Sequence, residues 1–243
     1  MRLVRLYQAD IGGDTVALDE RNHHHLVKVL RAKTGQTVEL FDGNGRWAKG
    51  ELSELSTKKC SIIRTHSRGT ANNESPIELE LILAVSKSHH FEFALQKAVE
   101  LGVTQIRPVL SERSEMKLKA DRIEKKYQSW LGTIVSACEQ SYRCVVPKLH
   151  ELQTLQAALN ECTADLRFVL DHRSAQPISP SLSGKHFAIC VGPEGGLSEH
   201  DMAIAKSAKF EATSIGPRVL RTETAPLTAL AVIGYLYGDL GLS

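Results

Sequence analysis

The sequence predicts two domains in tandem, a small β-barrel over residues 1–70 and an α/β domain with a mostly parallel sheet over residues 74–243. Three observations carry this reading. Thr37-Val38-Glu39-Leu40-Phe41 alternates, Asp42-Gly43-Asn44-Gly45 supplies turn residues, and Arg46 to Leu52 resumes as strand, which together signal a hairpin. Gly69-Thr70-Ala71-Asn72-Asn73-Glu74-Ser75-Pro76 is small, polar and closed by proline, as linkers are. Beyond it, strand-like and helix-like runs alternate, the pattern of parallel sheets.

Taken in order, a short helix is expected from Glu20 to Arg31, with Leu26, Val29 and Leu30 on one face and Gly35 soon after its end. Cys60-Ser61-Ile62-Ile63 is a further strand. Glu78 to Val85 reads as the first strand of the α/β part. Phe91, Ala94, Leu95, Ala98 and Val99 then fall at helical spacing before Gly102. Gln105 to Leu110 is a strand. Asp121 to Ser141 is a long helix with Asp121 as N-cap, and Leu155 to Glu161 is a short one. Phe168 to Leu170, Phe187 to Val191 and Ala212 to Ile215 are strands. Ser198 to Lys209 is a helix with Ser198 as N-cap and Asp201 three residues on.

Thr224 to Tyr237 is the last helix. It is apolar on nearly every side through Leu227, Leu230, Val232, Ile233 and Leu236. A surface helix would show a polar face. It is therefore buried centrally or covered by another subunit, and a dimer interface is the expectation.

Composition excludes several classes. With 42% apolar and 24% charged residues the chain is ordinarily globular, and no run reaches the length of a membrane span. The start, Met1-Arg2-Leu3-Val4-Arg5, lacks the apolar stretch of a signal peptide, so a cytoplasmic protein is expected. Five cysteines without a CxxC pair fit scattered reduced thiols. His23-His24-His25 and His89-His90 have no carboxylate or cysteine at ligand spacing, so no metal is expected. Residues 1–70 hold 12 Lys+Arg against 8 Asp+Glu, while the other 173 hold 18 against 20. A basic first domain suits RNA, with Arg2, Arg5 and Arg31 as candidate phosphate contacts.

The most informative stretches come late. Val191-Gly192-Pro193-Glu194-Gly195-Gly196-Leu197-Ser198 and Ile215-Gly216-Pro217-Arg218-Val219-Leu220-Arg221-Thr222-Glu223-Thr224-Ala225 each follow a strand and lead into a helix. Such turns bring backbone close to a ligand at the carboxyl edge of a sheet. No lysine follows the glycines as a nucleoside-triphosphate loop requires, and the glycines come too late for a nicotinamide or flavin fingerprint.

These two motifs closely resemble the RsmE family, 16S ribosomal RNA uridine-N3 methyltransferases of the SPOUT class. Further agreement lies in Phe91-Glu92-Phe93, Gln96-Lys97, Glu100-Leu101-Gly102-Val103, Ser111-Glu112-Arg113-Ser114, Glu139-Gln140 with Arg143, and Gly238-Asp239-Leu240-Gly241. The resemblance implies an S-adenosylmethionine site in a deep trefoil knot, held largely by the backbone of three loops. It implies a PUA-like barrel that binds 16S ribosomal RNA, free or in the assembled small subunit, and a homodimer with each active site near the subunit interface. Two positions depart from the family pattern. Tyr142 stands where relatives commonly have Gly, and Asp171-His172-Arg173 where they often have His-Pro-Arg.

The cofactor residues implied are Leu170, Val191, Gly192, Pro193, Glu194, Gly195, Gly196, Ile215, Gly216, Val219, Leu220 and Arg221. Uridine N3 carries a proton and is a poor nucleophile until it is lost. The site must supply a base or stabilise the developing anion. Arg221 and Arg218 are the candidate cations and Glu223 a possible base. For Glu223 a plain helix N-terminal role stands beside catalysis. The alternative to an enzyme is a non-catalytic RNA-binding protein that kept the fold.

Overall fold

The computed structural model describes residues 3–54, 61–114, 120–174 and 176–241. The chain divides into two compact units. One holds residues 1–74 together with 138–146, and the other holds 75–137 and 147–243.

The first unit is built on β1 (Val4–Tyr7), β2 (Thr15–Ala17), α1 (Glu20–His24), β3 (Thr37–Phe41), β4 (Arg46–Glu54) and β5 (Ile62–Thr70). The strands form one sheet in the order β1-β3-β4-β5-β2. The hairpin falls where the turn residues lie, with Phe41 opposite Trp47. Asp42 organises that turn. Its buried carboxylate accepts from the backbone N–H groups of Asn44 (2.8 Å) and Arg46 (3.0 Å) and from Arg46 Nε (2.6 Å). Burial pushes this acid up, but the donors outweigh burial and hold it below the ordinary range.

The expected barrel is not closed by backbone pairing, because β1 and β2 are the two edges of the sheet. Side chains tie the edges instead. Gln8 Oε1 accepts from the Asp19 N–H (3.1 Å) and from Asn22 Nδ2 (3.1 Å), and Asn22 Nδ2 also donates to the Tyr7 carbonyl (2.6 Å). Every strand feeds one core of Leu6, Val16, Val38, Leu40, Leu52 and Ile63, with Leu26 added from the helical segment.

Four expectations for this unit need correction. The helix from Glu20 to Arg31 is α-helical only to His24, then continues as one π-helical turn over His25–Val29. The wider turn leaves Leu26 buried but turns Val29 and Leu30 out to solvent, at 60% and 41% exposure. The linker starts later than expected, since Gly69 and Thr70 pair with Trp47 and Arg46 in the sheet. Arg5 is not a surface cation and is treated with the site below. The strand expected at Cys60 begins in the structure at Ile62; Cys60 itself lies outside the described residues.

The second unit contains β6 (Glu78–Ala84), α2 (Ser88–Glu100), β7 (Gln105–Leu110), α3 (Ala120–Ser141), β8 (Lys148–Leu149), β9 (Gln153–Thr154), α4 (Leu155–Glu161), β10 (Leu166–Leu170), β11 (His186–Val191), α5 (Glu199–Ser207), β12 (Glu211–Thr213) and α6 (Thr224–Tyr237). The last turn of α3 belongs to the first unit. α3 already begins at Ala120, so Asp121 lies within its first turn and not at the N-cap position expected for it. The sheet runs β12-β10-β11-β6-β7-β8, with β9 also on β7, and every pairing is parallel.

The five apolar positions of α2 are all buried, as their spacing demands. The core behind β10 and β11 gathers Ile82, Val109, Leu159, Val169, Ala188 and Phe210. A buried ion pair crosses from β6 to β7, Arg107 Nε to Glu80 Oε1. Burial pushes the Cys138 thiol up to about 12 and Cys162 to about 11, so these are inert packing groups.

α6 packs against α2 and against β11 and β6. Pro226, Ala229, Leu230, Ile233 and Gly234 are buried inside the chain, while Tyr235 is 67% exposed. Leu230 thus belongs to the chain's own core. The apolar surplus that remains outside is Leu227, Val232 and Leu236, each half-buried, with Tyr235.

Candidate functional site

β10, β11 and β12 occupy one end of the sheet in the order β12-β10-β11. Their carboxyl ends therefore open side by side, and the loops leaving them enclose a cavity of about 550 Å³. That size suits a small-molecule ligand, for which about 300–1,000 Å³ is usual. The two glycine motifs do not end neighbouring strands; β10 lies between them and contributes Leu170, Asp171 and His172 to the same wall.

The first motif forms a braced loop. Gly192 cannot be larger, because a Cβ there would lie 2.9 Å from the Leu197 nitrogen and 3.0 Å from the Gly196 carbonyl carbon. The Gly196 N–H donates to the Pro193 carbonyl (2.8 Å), closing a tight turn. Arg113 Nη1 donates to the Gly195 carbonyl (2.9 Å). Ser198 and Asp201 form a reciprocal capping box at the start of α5. Ser198 Oγ also donates to Glu112 Oε2, and the Glu112 N–H reaches Asp201 Oδ1 (3.4 Å).

The second motif is held differently. Thr222 Oγ1 donates to the Gly192 carbonyl (2.9 Å), which fastens one loop to the other. The Thr224 and Ala225 N–H groups both donate to the Arg221 carbonyl (2.9 Å each) as α6 begins. Gly216 takes a φ of +83°, a backbone form that favours glycine. Arg218 and Arg221 are exposed at the cavity rim, and their guanidinium groups make no hydrogen bond or ion pair with the described residues.

The third loop is tied to β12 and braced by its own Asp171–Arg173 pair. The Asp171 N–H donates to the Thr213 carbonyl (2.9 Å). Its carboxylate accepts from Arg173 through the backbone N–H (3.0 Å), Nε (2.9 Å) and Nη2 (3.1 Å). These contacts with Arg173 hold the Asp171 carboxyl below the ordinary range despite some burial.

All the residues expected to meet a cofactor line this one cavity: Leu170, Val191 to Gly196, Ile215, Gly216, Val219, Leu220 and Arg221. So do Arg218 and Glu223. The lining mixes apolar side chains with the carboxylates of Asp171, Glu194 and Glu223 and the guanidinium groups of Arg218 and Arg221. Sequence reasoning missed His90, Leu197, Thr213, Ser214, Thr222 and Ala225. His90 lies in the first turn of α2, and its Nδ1 is 3.2 Å from Glu194 Oε1. Nothing in local spacing marks a contact between residues 104 positions apart. Burial pushes the Glu194 carboxyl up, but its own N–H, His90 and the Lys87 N–H (3.1 Å) bring it below the usual value.

Known proteins share this architecture. A family model described as an RNA methyltransferase domain matches residues 73–234, and one described as an RNA methyltransferase PUA domain matches residues 18–63. The ribosomal RNA small subunit methyltransferase E of Bacillus subtilis is 30% identical over 91% of this chain and 90% of its own length. A crystal structure of the protein of that name from Neisseria gonorrhoeae, bound to S-adenosyl methionine, is 35% identical. It superposes with a TM-score of 0.90 over 98% of this chain and 99% of that one. This chain belongs to the ribosomal RNA small subunit methyltransferase E family. A member from Buchnera aphidicola (subsp. Acyrthosiphon pisum) is 28% identical over 91% of the chain and 88% of its own length.

Family membership makes the three arginines read as RNA contacts worth locating. Arg5 cannot serve. It is 6% exposed, and its donors are spent on Glu39 Oε1 (2.8 Å), the carbonyls of Cys138 and Arg143 (2.8 Å each) and Cys144 Sγ (2.8 Å). It also lies over the Phe41 ring, 4.3 Å from the centroid. Arg5 is a buried staple of the first unit, and its charge never meets solvent. Arg31 is exposed and lines a groove with Leu30, Lys33, Lys49 and His66. Arg2 lies outside the described residues.

Proposed function

We propose that this protein transfers the methyl group of S-adenosylmethionine to N3 of a uridine in 16S ribosomal RNA. The observation that carries the reading is the convergence of three loops, from β10, β11 and β12, on one cavity. The cavity's chemistry suits that cofactor. Leu170, Val191, Ile215 and Leu220 offer an apolar bed, and the carboxylates of Glu194 and Glu223 complement positive charge. Glu223 Oε2 is buried with no hydrogen-bond partner among the described residues, as a group awaiting one would be.

When bound, S-adenosylmethionine supplies an electrophilic methyl group on sulfonium. The chain's own residues do the rest. The braced loop from Gly192 to Ser198 fixes where the reacting groups meet, which is the proximity part of the catalysis. Loss of the N3 proton leaves negative charge spread over the uracil ring. Arg221, exposed at the rim and unpaired, is positioned to stabilise that charge. Arg218 stands beside it to meet phosphate. Glu223 is the proton acceptor. It occupies the N-cap position of α6 without a side-chain capping bond, which leaves its carboxylate available to a bound group.

The basic groove of the first unit, with Arg31, Lys33 and Lys49, is assigned to RNA backbone. The half-buried apolar side of α6, with exposed Tyr235 and with Phe93 of α2 (46% exposed), is assigned to a homodimer contact. The knot typical of the SPOUT class, and a cytoplasmic location where ribosomal RNA is made, belong to the same reading. Among the described residues no helix is long and apolar enough to cross a membrane.

The test is transfer of labelled methyl from S-adenosylmethionine to unmodified 16S RNA and to assembled small subunits. The expected result is saturable incorporation into RNA. Cofactor binding without any transfer to either substrate would favour a non-catalytic RNA-binding protein instead.

A further inference from the structure

His90 stands between two carboxylates of the cavity. Its Nδ1 is 3.2 Å from Glu194 Oε1, and its Nε2 is 3.9 Å from Glu223 Oε1. Three features show that this is a built arrangement. Glu194 is itself anchored, since Oε1 accepts the Lys87 N–H at 3.1 Å. The His90 ring packs on His89, 3.9 Å between centroids, which restrains its rotation. Glu223 Oε2 is buried without a partner among the described residues, an expensive condition unless something arrives to use it.

The three side chains also form a gradient. They are 15%, 22% and 35% exposed in the order Glu223, His90, Glu194. The line therefore runs from the inside of the cavity outward to water. Imidazole suits the middle place, because it accepts a proton on one nitrogen while releasing one from the other.

We infer that Glu223, His90 and Glu194 form a relay that carries the uridine N3 proton out of the cavity, with His90 as its central carrier. The inference rests on the proposed methyl transfer. In the step, Glu223 takes the proton from N3. N3 keeps the N–H electron pair and uses it to bond the methyl carbon, whose old bond to sulfur breaks with both electrons staying on sulfur. At 3.9 Å, Glu223 Oε1 and His90 Nε2 are in charge contact and not hydrogen-bonded, so the transfer needs the pair to close to hydrogen-bond reach in the loaded site; the proton then passes from Glu223 to His90 Nε2, while the Nδ1 proton leaves along Glu194 to water. One proton reaches solvent for each methyl transferred, which balances the positive charge lost from the sulfonium. The other titratable or charged groups around this line are His89, packed on the His90 ring, and Asp171, His172, Arg218 and Arg221, which line the same cavity.

The experiment compares wild type, His90→Gln and His90→Ala at saturating S-adenosylmethionine, with cofactor affinity measured separately by calorimetry. His90→Gln keeps a hydrogen-bonding group toward Glu194 but cannot carry a proton. Both variants are expected to bind cofactor within about threefold of wild type and to lose about a hundredfold in kcat, the usual worth of a positioned proton carrier. KM for RNA should stay nearly constant. Added imidazole should restore turnover to His90→Ala and leave His90→Gln unchanged. Near-wild-type kcat in His90→Gln would overturn the relay, as would a kcat loss matched by an equal loss of cofactor affinity. A wild-type protein that binds cofactor but transfers no methyl would instead refute the proposed function, a distinguishable failure.

Discussion

The loop after β11 is braced along most of its length, whereas the loop after β12 holds its two arginines out to solvent. In the first, Gly192 is packed against backbone, Gly195 is held through its carbonyl by Arg113, and Ser198 is locked into a capping box. In the second, Val219 is 75% exposed, and Arg218 and Arg221 make no side-chain bond with the described residues. The two meet at one side-chain bond, Thr222 to the Gly192 carbonyl. The difference separates two jobs. A rigid wall costs nothing to reorganise when a ligand binds. Unpaired guanidinium groups are ready for an anion that only the substrate supplies. Substitutions in the wall should therefore cost stability, and substitutions on the arm should cost turnover.

The largest expected effect is on the arm. Arg221→Ala should lower kcat roughly a hundredfold to a thousandfold, the range found when one charge-stabilising donor is removed, with an unchanged melting temperature. Turnover within a few-fold of wild type would break the comparison. Next comes the wall at its tightest point. Gly192→Ala forces a Cβ against the backbone of Leu197 and Gly196 and should cost about 1–3 kcal/mol, read as a lower unfolding midpoint and weaker cofactor binding. An unshifted midpoint would mean the loop is looser than its contacts imply. Ser198→Ala removes one half of the capping box and should cost about 1 kcal/mol. For a chain of this length that is roughly 2–4 °C in thermal midpoint, with kcat little changed. The smallest effect belongs to Gly195→Ala. Its Cβ would sit 3.6 Å from Arg113 Cβ and Cδ, an ordinary contact, so a near-wild-type unfolding midpoint is expected.

Much of this contrast was legible in the sequence. The glycine motifs named nearly every residue of the cavity wall, and the Ser198–Asp201 spacing named the cap. Helical periodicity named all five buried positions of α2. These are local signals. What escaped depends on distant partners. Arg5 reads as a basic terminal residue until the carbonyls of Cys138 and Arg143 are brought to it. Those carbonyls belong to the segment 138–146, which packs with the first unit although it lies deep in the sequence of the second. The π-helical turn at His25–Val29 exposes Val29 and Leu30, because one extra residue per turn rotates them off the apolar face. Leu230 could not be told from an interface residue by composition, since a buried helix and a subunit-covered helix share the same pattern. Tyr142 is the reverse case. The departure from glycine was visible, and the structure supplies its meaning. Tyr142 caps α3 at a φ of +64°, the left-handed form glycine adopts freely. Its ring lies 5.4 Å from the Arg5 guanidinium, a contact that glycine would lack.

The central claim is that this cavity directs a methyl group to N3 of uridine. Digestion of enzyme-treated 16S RNA to nucleosides, followed by mass spectrometry, tests it most directly. The account predicts a single new product, N3-methyluridine, formed roughly a hundredfold or more slowly when Arg221→Ala replaces the wild type at equal cofactor occupancy. A methyl group on uridine C5, on a ribose 2′-oxygen or on guanine would contradict it.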